Sequence, residues 1–437
     1  MSLGTRKAAT RGARKSVRKP TARAKAARKP TTAAAKKPWT IMIYMAGDND
    51  LNSFCWLDLA ELKSVGSSDA LNIVVQIDTM RAKLTRRYYV TKKQTRQKDV
   101  VQTLKETDTG DPAVASAFFE WAIRNYPAER YLVGFWNHGS GIDETDVYAG
   151  TRGARGVPLS RGKARVAASH PVRRALFSTT RRQVLGRRTR AIAYDDSAKD
   201  FLDNKELAKV LANTAAAAGH PVDVLGLDAC LMAMVELAYE MRDTAGVIVG
   251  SQQLEPGDGW PYNKVAGAIA ANPAITAREL ASRIVREYVA SYTDDSVTQS
   301  AVDTSAVAPL ARSVSDLATA LIAGLDDATL YRAIDRSVKS AQRFDTKDFV
   351  DLASLAGLLA KNAPGTPVAA AATRVLGEIR SPALVIAQGK KGKDVKDAEG
   401  VSIYMPQLEP DTEVDYARLD FAHDTRWPDF LRAWAGR

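Results

Sequence analysis

Cysteine and histidine are scarce in this chain. Two cysteines, Cys55 and Cys230, among 437 residues exclude a disulfide framework as the source of stability. With only four histidines beside them, a structural zinc site is nearly excluded too. No uninterrupted apolar run reaches the ~18 residues that a membrane-spanning helix needs. The N-terminus lacks the apolar central region of a secretory signal, so the default expectation is a cytoplasmic protein, with export by a non-classical route left open. Acidic residues are missing altogether from two stretches, 1–37 and 151–194.

Those two stretches distort the charge balance. The chain has 62 Lys and Arg against 50 Asp and Glu, a formal net charge of +12. The first stretch holds 13 of the basic residues and the second holds 12, leaving 37 basic against 50 acidic elsewhere, a net of −13. The protein is therefore an acidic body carrying two basic segments. An acidic body attracts cationic substrates. The hydrophobic share of 45 % suffices for a sizeable core. The length suits two or three domains, or one large domain with extensions.

Residues 1–37 are built from Lys, Arg, Ala, Pro and Thr without helical or strand periodicity. Such a stretch cannot bury enough surface to offset its ordering entropy, so it is expected to be disordered. It resembles histone-tail-like arms that contact nucleic acid without sequence preference. From Trp39 onward the pattern changes. Apolar runs at 40–46, 71–78, 131–139, 222–230 and 245–252 read as buried strands, and 86–91 as a further strand in a hairpin arrangement. Between them lie helical patterns at about 50–62, 113–126 (with Ala117, Phe118, Trp121 and Ala122 on one face), 205–219 (capped by Asn204 and ended by Gly219) and 230–243. Strands alternating with helices predict an α/β sandwich around a mostly parallel sheet. Residues 265–378 read as mainly helical, with late strands at 383–388 and 401–405.

Three places stand out chemically: Asn137-His138-Gly139, Leu227-Asp228-Ala229-Cys230, and the stretch EPGDGW at 255–260. Ligand sites in open α/β sheets lie beyond the carboxyl ends of the strands, and His138 and Cys230 both follow such ends. Histidine is the usual general base near neutral pH. A thiol at a helix N-terminus is favoured as thiolate, and a Cys/His pair is a recognised arrangement for acyl transfer. Strand alternation places Asp228 on the same side as Cys230. A carboxylate there raises the thiol pKa, which makes sense if it receives a cationic substrate side chain instead. Asp258, in a turn-like Pro-Gly-Asp-Gly, offers a second carboxylate.

WTIMIYMAGDNDL, LVGFWNHGSG, AYDD, DVLGLDACLMAMVELAYE and GSQQLEPGDGWPY, in that order from residue 39 to about 265, resemble the clostripain family of cysteine peptidases, which has a caspase-like α/β/α sandwich fold. The resemblance implies that His138 is the catalytic histidine and Cys230 the nucleophile. It implies that Asp228 holds a basic P1 side chain, with Asp258 as a second acid near that pocket. The family's preference implies cleavage after Arg, with Lys also accepted in some members. Self-processing between His and Cys would fall in the Arg-rich stretch, where Arg152, Arg155 and Arg190 are candidates. The oxyanion donors are expected to be the N–H groups of Gly139 and Cys230.

The expected organisation is a disordered arm at 1–37, a peptidase core at 38–265 with a basic insertion at 151–190, and a mainly helical region at 266–437 whose late strands complete the core. No cofactor is required by the residues. The resemblance raises calcium dependence, toward which Asp48/Asp50 and Asp195/Asp196 offer oxygens without EF-hand spacing, and no metal ligand is assigned. The partners expected are protein or peptide substrates with a basic P1 residue. The rival reading is a nucleic-acid-associated protein that uses a peptidase-like scaffold and its basic arm.

Overall fold

The computed structural model describes residues 36–80, 83–142, 192–198, 200–406 and 416–437. Most of the basic arm and the processing candidates Arg152, Arg155 and Arg190 lie outside the described residues.

The chain enters the core as β1 (Lys37–Gly47), an apolar run buried from Trp39 onward. A short 3-10 turn at 50–53 and α1 (Phe54–Val65) lead to β2 (Leu71–Thr79), parallel to β1 and buried along its whole length. The antiparallel strands β3 (Arg86–Tyr89) and β4 (Val100–Thr103) close this edge. Helix α2 (Pro112–Asn125) then carries the chain back past β1 to β5 (Ala128–Trp136), which is parallel to β1 on its other side. A small hairpin, β6 (Ile192–Asp195) with β7 (Asp200–Leu202), precedes α3 (Asn204–Ala218). Then come β8 (Val222–Asp228), α4 (Val235–Glu240) and β9 (Ala245–Gly250), followed by α5 (Tyr262–Ala271), α6 (Ala277–Ser291) and β10 (Val297–Asp303). Helices α7 (Val307–Gly324) and α8 (Ala328–Ser340), strand β11 (Phe349–Asp351) and helices α9 (Leu352–Asn362) and α10 (Pro367–Ile379) lead to β12 (Val385–Lys391). Strand β13 (Ser402–Tyr404) pairs with β11, and α11 (Asp420–Asp424) and α12 (Trp427–Ala435) end the chain.

The nine-stranded sheet runs β12-β10-β9-β8-β5-β1-β2-β3-β4. Its five central strands, β9-β8-β5-β1-β2, are parallel, and the two strands at either edge are antiparallel. Helices α1, α5 and α6 cover one face over Ile41, Ile43, Ile73 and Val224. The remaining large helices cover the other face over Tyr44, Phe118, Phe135 and Leu225. The result is an α/β/α sandwich around a mostly parallel sheet. The chain reverses its direction across the sheet between β1 and β5, so the topological switch point opens beyond their carboxyl ends.

Several local expectations are corrected. Strands β10 and β11 fall inside the stretch read as helical. Val297–Asp303 is buried almost throughout between two other strands, so it shows no alternation that could announce it. Strand β4 was likewise not expected. Asp203 caps α3, through a reciprocal pair with Glu206, and Asn204 is the first helical residue. On α2, Ala117 is exposed while Phe119 and Ile123 are buried, so the apolar face is rotated from the one expected. The segment Thr304–Gly324 is long and apolar enough to cross a membrane by length and composition. It nevertheless buries Val307, Leu310, Val314, Leu317 and Leu321 in the core.

Candidate active site

Three parallel strands, β1, β5 and β8, end side by side. Their register pairs Met45 with Trp136 and Trp136 with Asp228. Residues just beyond these positions, Asp50, His138 and Cys230, are thus delivered to one edge of the sheet. Asn137 pins the three ends together. Its N–H donates to Asp228 O at 3.3 Å, its Nδ2 donates to Ala46 O, and its Oδ1 accepts the His138 N–H at 2.6 Å. On the side-chain side, His138 Nε2 lies 2.7 Å from Asp50 Oδ1.

Gly139 meets Cys230 backbone to backbone. A Cβ at position 139 would stand 2.5 Å from Cys230 O and 3.1 Å from Cys230 N. Only a residue without Cβ allows this approach. The Gly139 N–H has no acceptor among the described residues. The Cys230 N–H has no backbone acceptor there and turns to its own Sγ.

The environment of Cys230 differs from the expected helix N-terminus. Leu231 takes a left-handed φ of 66°, unusual for a residue with a bulky side chain. The next helix begins only at Val235. Instead of a helix end, the Glu255 N–H points at Cys230 Sγ, 3.2 Å away. Burial pushes the thiol up to about 11. The Glu255 N–H opposes that rise, while Asp345 and Asp228 add to it. The resting group is a thiol, and no helix dipole makes it a thiolate.

Behind the thiol lies a set of carboxyl groups. Asp228 is buried, and its Oδ2 accepts from Tyr262 Oη at 2.8 Å and Trp260 N at 3.4 Å. Burial raises it to about 6, against the hydrogen bonds from Glu255, Tyr262 and Trp260. Glu255 is raised well above the carboxylate range by burial and then by Asp228, and its Oε1 accepts from Gln299 Nε2 at 3.1 Å. Asp58 is buried on α1, accepts the Trp136 Nε1–H at 2.6 Å, and is raised to about 9, first by burial and then by Asp228. Glu61, one turn on, is also raised by burial and feels Asp258. Asp258 itself sits exposed on the turn from Pro256 to Gly259. That turn lies against Asp228, since a Cβ on Gly259 would be 3.1 Å from Asp228 Oδ2. Among the described residues, neither Asp228 nor Glu255 has an ion-pair partner.

His138, Gly139, Asp228, Cys230 and Asp258 thus converge at one sheet edge. Asp50, Asn137, Glu255 and Asp58 were not anticipated as members. The sequence gives Glu255, within EPGDGW, no role of its own, and offers Asp50 only as a source of oxygen ligands. Asp195, another such source, instead accepts from Thr109 N at 3.0 Å and Ala198 N at 2.8 Å, which ties two loops together. Among the described residues, no three His, Cys, Asp or Glu side chains converge to hold a metal ion.

A thiol and an imidazole on adjacent strand ends of such a sandwich define the architecture of caspase-like cysteine peptidases. The family model of the clostripain family matches residues 43–155 and 179–434, most of the chain, and the chain belongs to that family. Clostripain of Hathewaya histolytica is 26 % identical over 265 residues, 53 % of this chain and 42 % of the relative. The match thus spans less than half the length of that relative. A secreted C11 cysteine protease of Bacteroides thetaiotaomicron, solved with an irreversible peptide inhibitor, superposes with a TM-score of 0.60 at 19 % identity, covering 90 % of this chain and 99 % of that one. An inactive zymogen C11 protease of Parabacteroides distasonis gives 0.61 at 17 % identity, with the same coverage. These two likenesses establish the fold.

Proposed function

We propose that the chain is a cysteine endopeptidase that cleaves after Arg, with Lys as the lesser substrate. One observation carries the specificity. The carboxyl cluster beside Cys230 contains Asp228 but no counter-cation among the described residues, which supports a positive charge supplied by the substrate. A guanidinium fits better than an ammonium because it engages a carboxylate bidentately. Asp258, on the exposed turn that lies against Asp228, adds a second negative charge.

The chemistry follows from a protonated thiol. His138 takes the Cys230 proton as Sγ bonds to the scissile carbonyl carbon. The Gly139 and Cys230 N–H groups receive the developing oxyanion. The imidazolium then protonates the departing amine, and a thioester remains on Cys230. Water attacks the thioester with His138 as base and regenerates the thiol. Asp50 holds the ring through one nitrogen. Calcium rests on the family resemblance alone, and no step here is assigned to it.

Self-processing belongs to the same reading. The family match is interrupted between residues 155 and 179, inside the Arg-rich stretch, which supports an insertion rich in cleavage sites. Arg152, Arg155 and Arg190 are the candidates.

The test uses reporter peptides with Arg, Lys or citrulline at P1, together with a mass spectrum of wild type beside Cys230→Ala. Hydrolysis of the Arg peptide by wild type alone, with cuts after basic residues in 151–194, supports the reading. Equal cleavage of the Arg and citrulline peptides overturns the charge-based specificity. Identical fragments from both proteins overturn self-processing.

A further inference from the structure

Glu255 occupies a place that neither a nucleophile nor a simple charge ligand explains. Its backbone N–H holds Cys230 Sγ at 3.2 Å, while its side chain reaches the Asp228 carboxyl. One of its oxygens accepts from Gln299. The other, Oε2, is shut away from solvent and makes no conventional donor–acceptor contact. A buried carboxyl group set against a carboxylate is satisfied only if one of the two carries a proton. Two buried carboxyl groups side by side do not both ionise.

We propose that Glu255 is a further specificity-determining residue, a neutral carboxylic acid whose proton bonds Asp228 and holds the arginine pocket at one buried negative charge. The proposal rests on the reading of Asp228 as the receptor for P1.

The surroundings agree from every side. Asp58 and Glu61 on α1, Asp258 on the adjoining turn, Cys230, and Asp345 on the loop after α8 are acids. Tyr262 on α5, Tyr288 on α6, Tyr292 just beyond it and Gln299 on β10 are neutral. No cation among them stabilises a second charge. Asp228 accepts from both Tyr262 Oη and Trp260 N, whereas the Glu255 carboxyl accepts only from Gln299 and leaves Oε2 without a donor among the described residues, so the proton resides on Glu255 and Asp228 is the group that ionises. A single carboxylate braced by a hydrogen-bonded acid matches one guanidinium in charge. It also keeps one Asp228 oxygen turned toward the acid, which leaves the carboxyl fixed in orientation.

The experiment measures kcat and KM for Arg and citrulline reporters from pH 5 to 9 with wild type, Asp228→Asn, Glu255→Gln and Glu255→Ala. Thermal unfolding confirms that each variant is folded. Glu255→Gln, neutral and still a donor, is expected to keep KM for Arg within about threefold at pH 7. Glu255→Ala removes the donor and raises the Asp228 pKa, so its KM for Arg rises at least tenfold near pH 6 and recovers toward pH 8, with kcat little changed. If Glu255→Gln loses Arg affinity as severely as Asp228→Asn, Glu255 is an ionised ligand and the proposal is overturned. An unchanged pH profile in folded Glu255→Ala also overturns it. If Asp228→Asn leaves the Arg-to-citrulline ratio intact, the P1 reading itself has failed, which is a distinguishable result. Should Glu255→Ala not fold, Glu255→Gln together with proton uptake or release on binding benzamidine to Cys230→Ala decides. No proton exchange above pH 7 is expected, and release of one proton overturns the neutral-acid assignment.

Discussion

His138 and Asp50 stand at the ends of two neighbouring strands and join side chain to side chain, Nε2 to Oδ1, at 2.7 Å. The topological switch between β5 and β1 is what brings them together. A carboxylate on one ring nitrogen fixes the imidazole's orientation and tautomer. Asp50→Ala is expected to lower kcat by roughly tenfold to a hundredfold while leaving KM for an Arg reporter nearly unchanged. The modest size reflects the partial exposure of Asp50. Steady-state kinetics decides, and an unaltered kcat removes Asp50 from the machinery.

Cys230 is predicted to react slowly with alkylating agents until the medium is strongly basic. Its thiol is held near 11, first by burial and then by the acids Asp345 and Asp228. At pH 7 the thiolate fraction is therefore about one in ten thousand. Iodoacetamide labelling, followed by mass spectrometry of the Cys230 peptide, should accelerate about tenfold per pH unit from 7 to 9. A plateau near pH 7 would instead reveal a preformed thiolate–imidazolium pair.

Gly139→Ala tests the close approach of the two backbones. The added Cβ would meet Cys230 O at 2.5 Å and Ala229 Cβ at 2.7 Å, and neither position belongs to the end of a flexible side chain. The strand ends must separate, which misplaces both N–H donors. The expected loss is on the order of a hundredfold in kcat, with a destabilisation of about 1–3 kcal/mol from overpacking. Retention of wild-type kcat would mean that these donors do not serve the oxyanion.

The parallel centre was legible because β1, β2, β5, β8 and β9 are apolar runs buried on both faces, separated by helical periods. The same logic concealed β10. Its polar residues Thr298, Gln299 and Ser300 are buried because they bond neighbouring loops: Thr298 Oγ1 accepts from Gln252 N and Gln253 N, each at 3.0 Å, Gln299 donates to Glu255, and Ser300 donates to Gly400 O. Residue identity at strand ends brought out His138, Cys230 and Asp228. It was silent on Glu255, whose importance lies in which atoms it touches. It also misjudged the start of α4, because Leu231 adopts a backbone conformation that no propensity favours. Polar contacts made across long sequence separations leave no local signature.

A last prediction concerns Glu236, on the short helix that follows Cys230. It is completely buried, and its Oε1 accepts from Tyr404 N at 2.8 Å and Tyr416 Oη at 3.1 Å, while Oε2 has no hydrogen-bond partner among the described residues. Burial raises its carboxyl from 4.5 to about 7. The folded chain therefore binds this proton more tightly than the unfolded chain does. Its stabilising effect is complete below pH 4.5 and fades as pH rises toward 7, with a cost on the order of 3 kcal/mol once the folded group ionises. Glu236→Gln keeps the accepting oxygen and cannot ionise. The variant should match wild type in thermal unfolding at pH 5 and melt a few degrees higher at pH 8. A variant that is less stable at both values would show that the carboxylate is matched to its hydrogen bonds and that burial does not govern its charge.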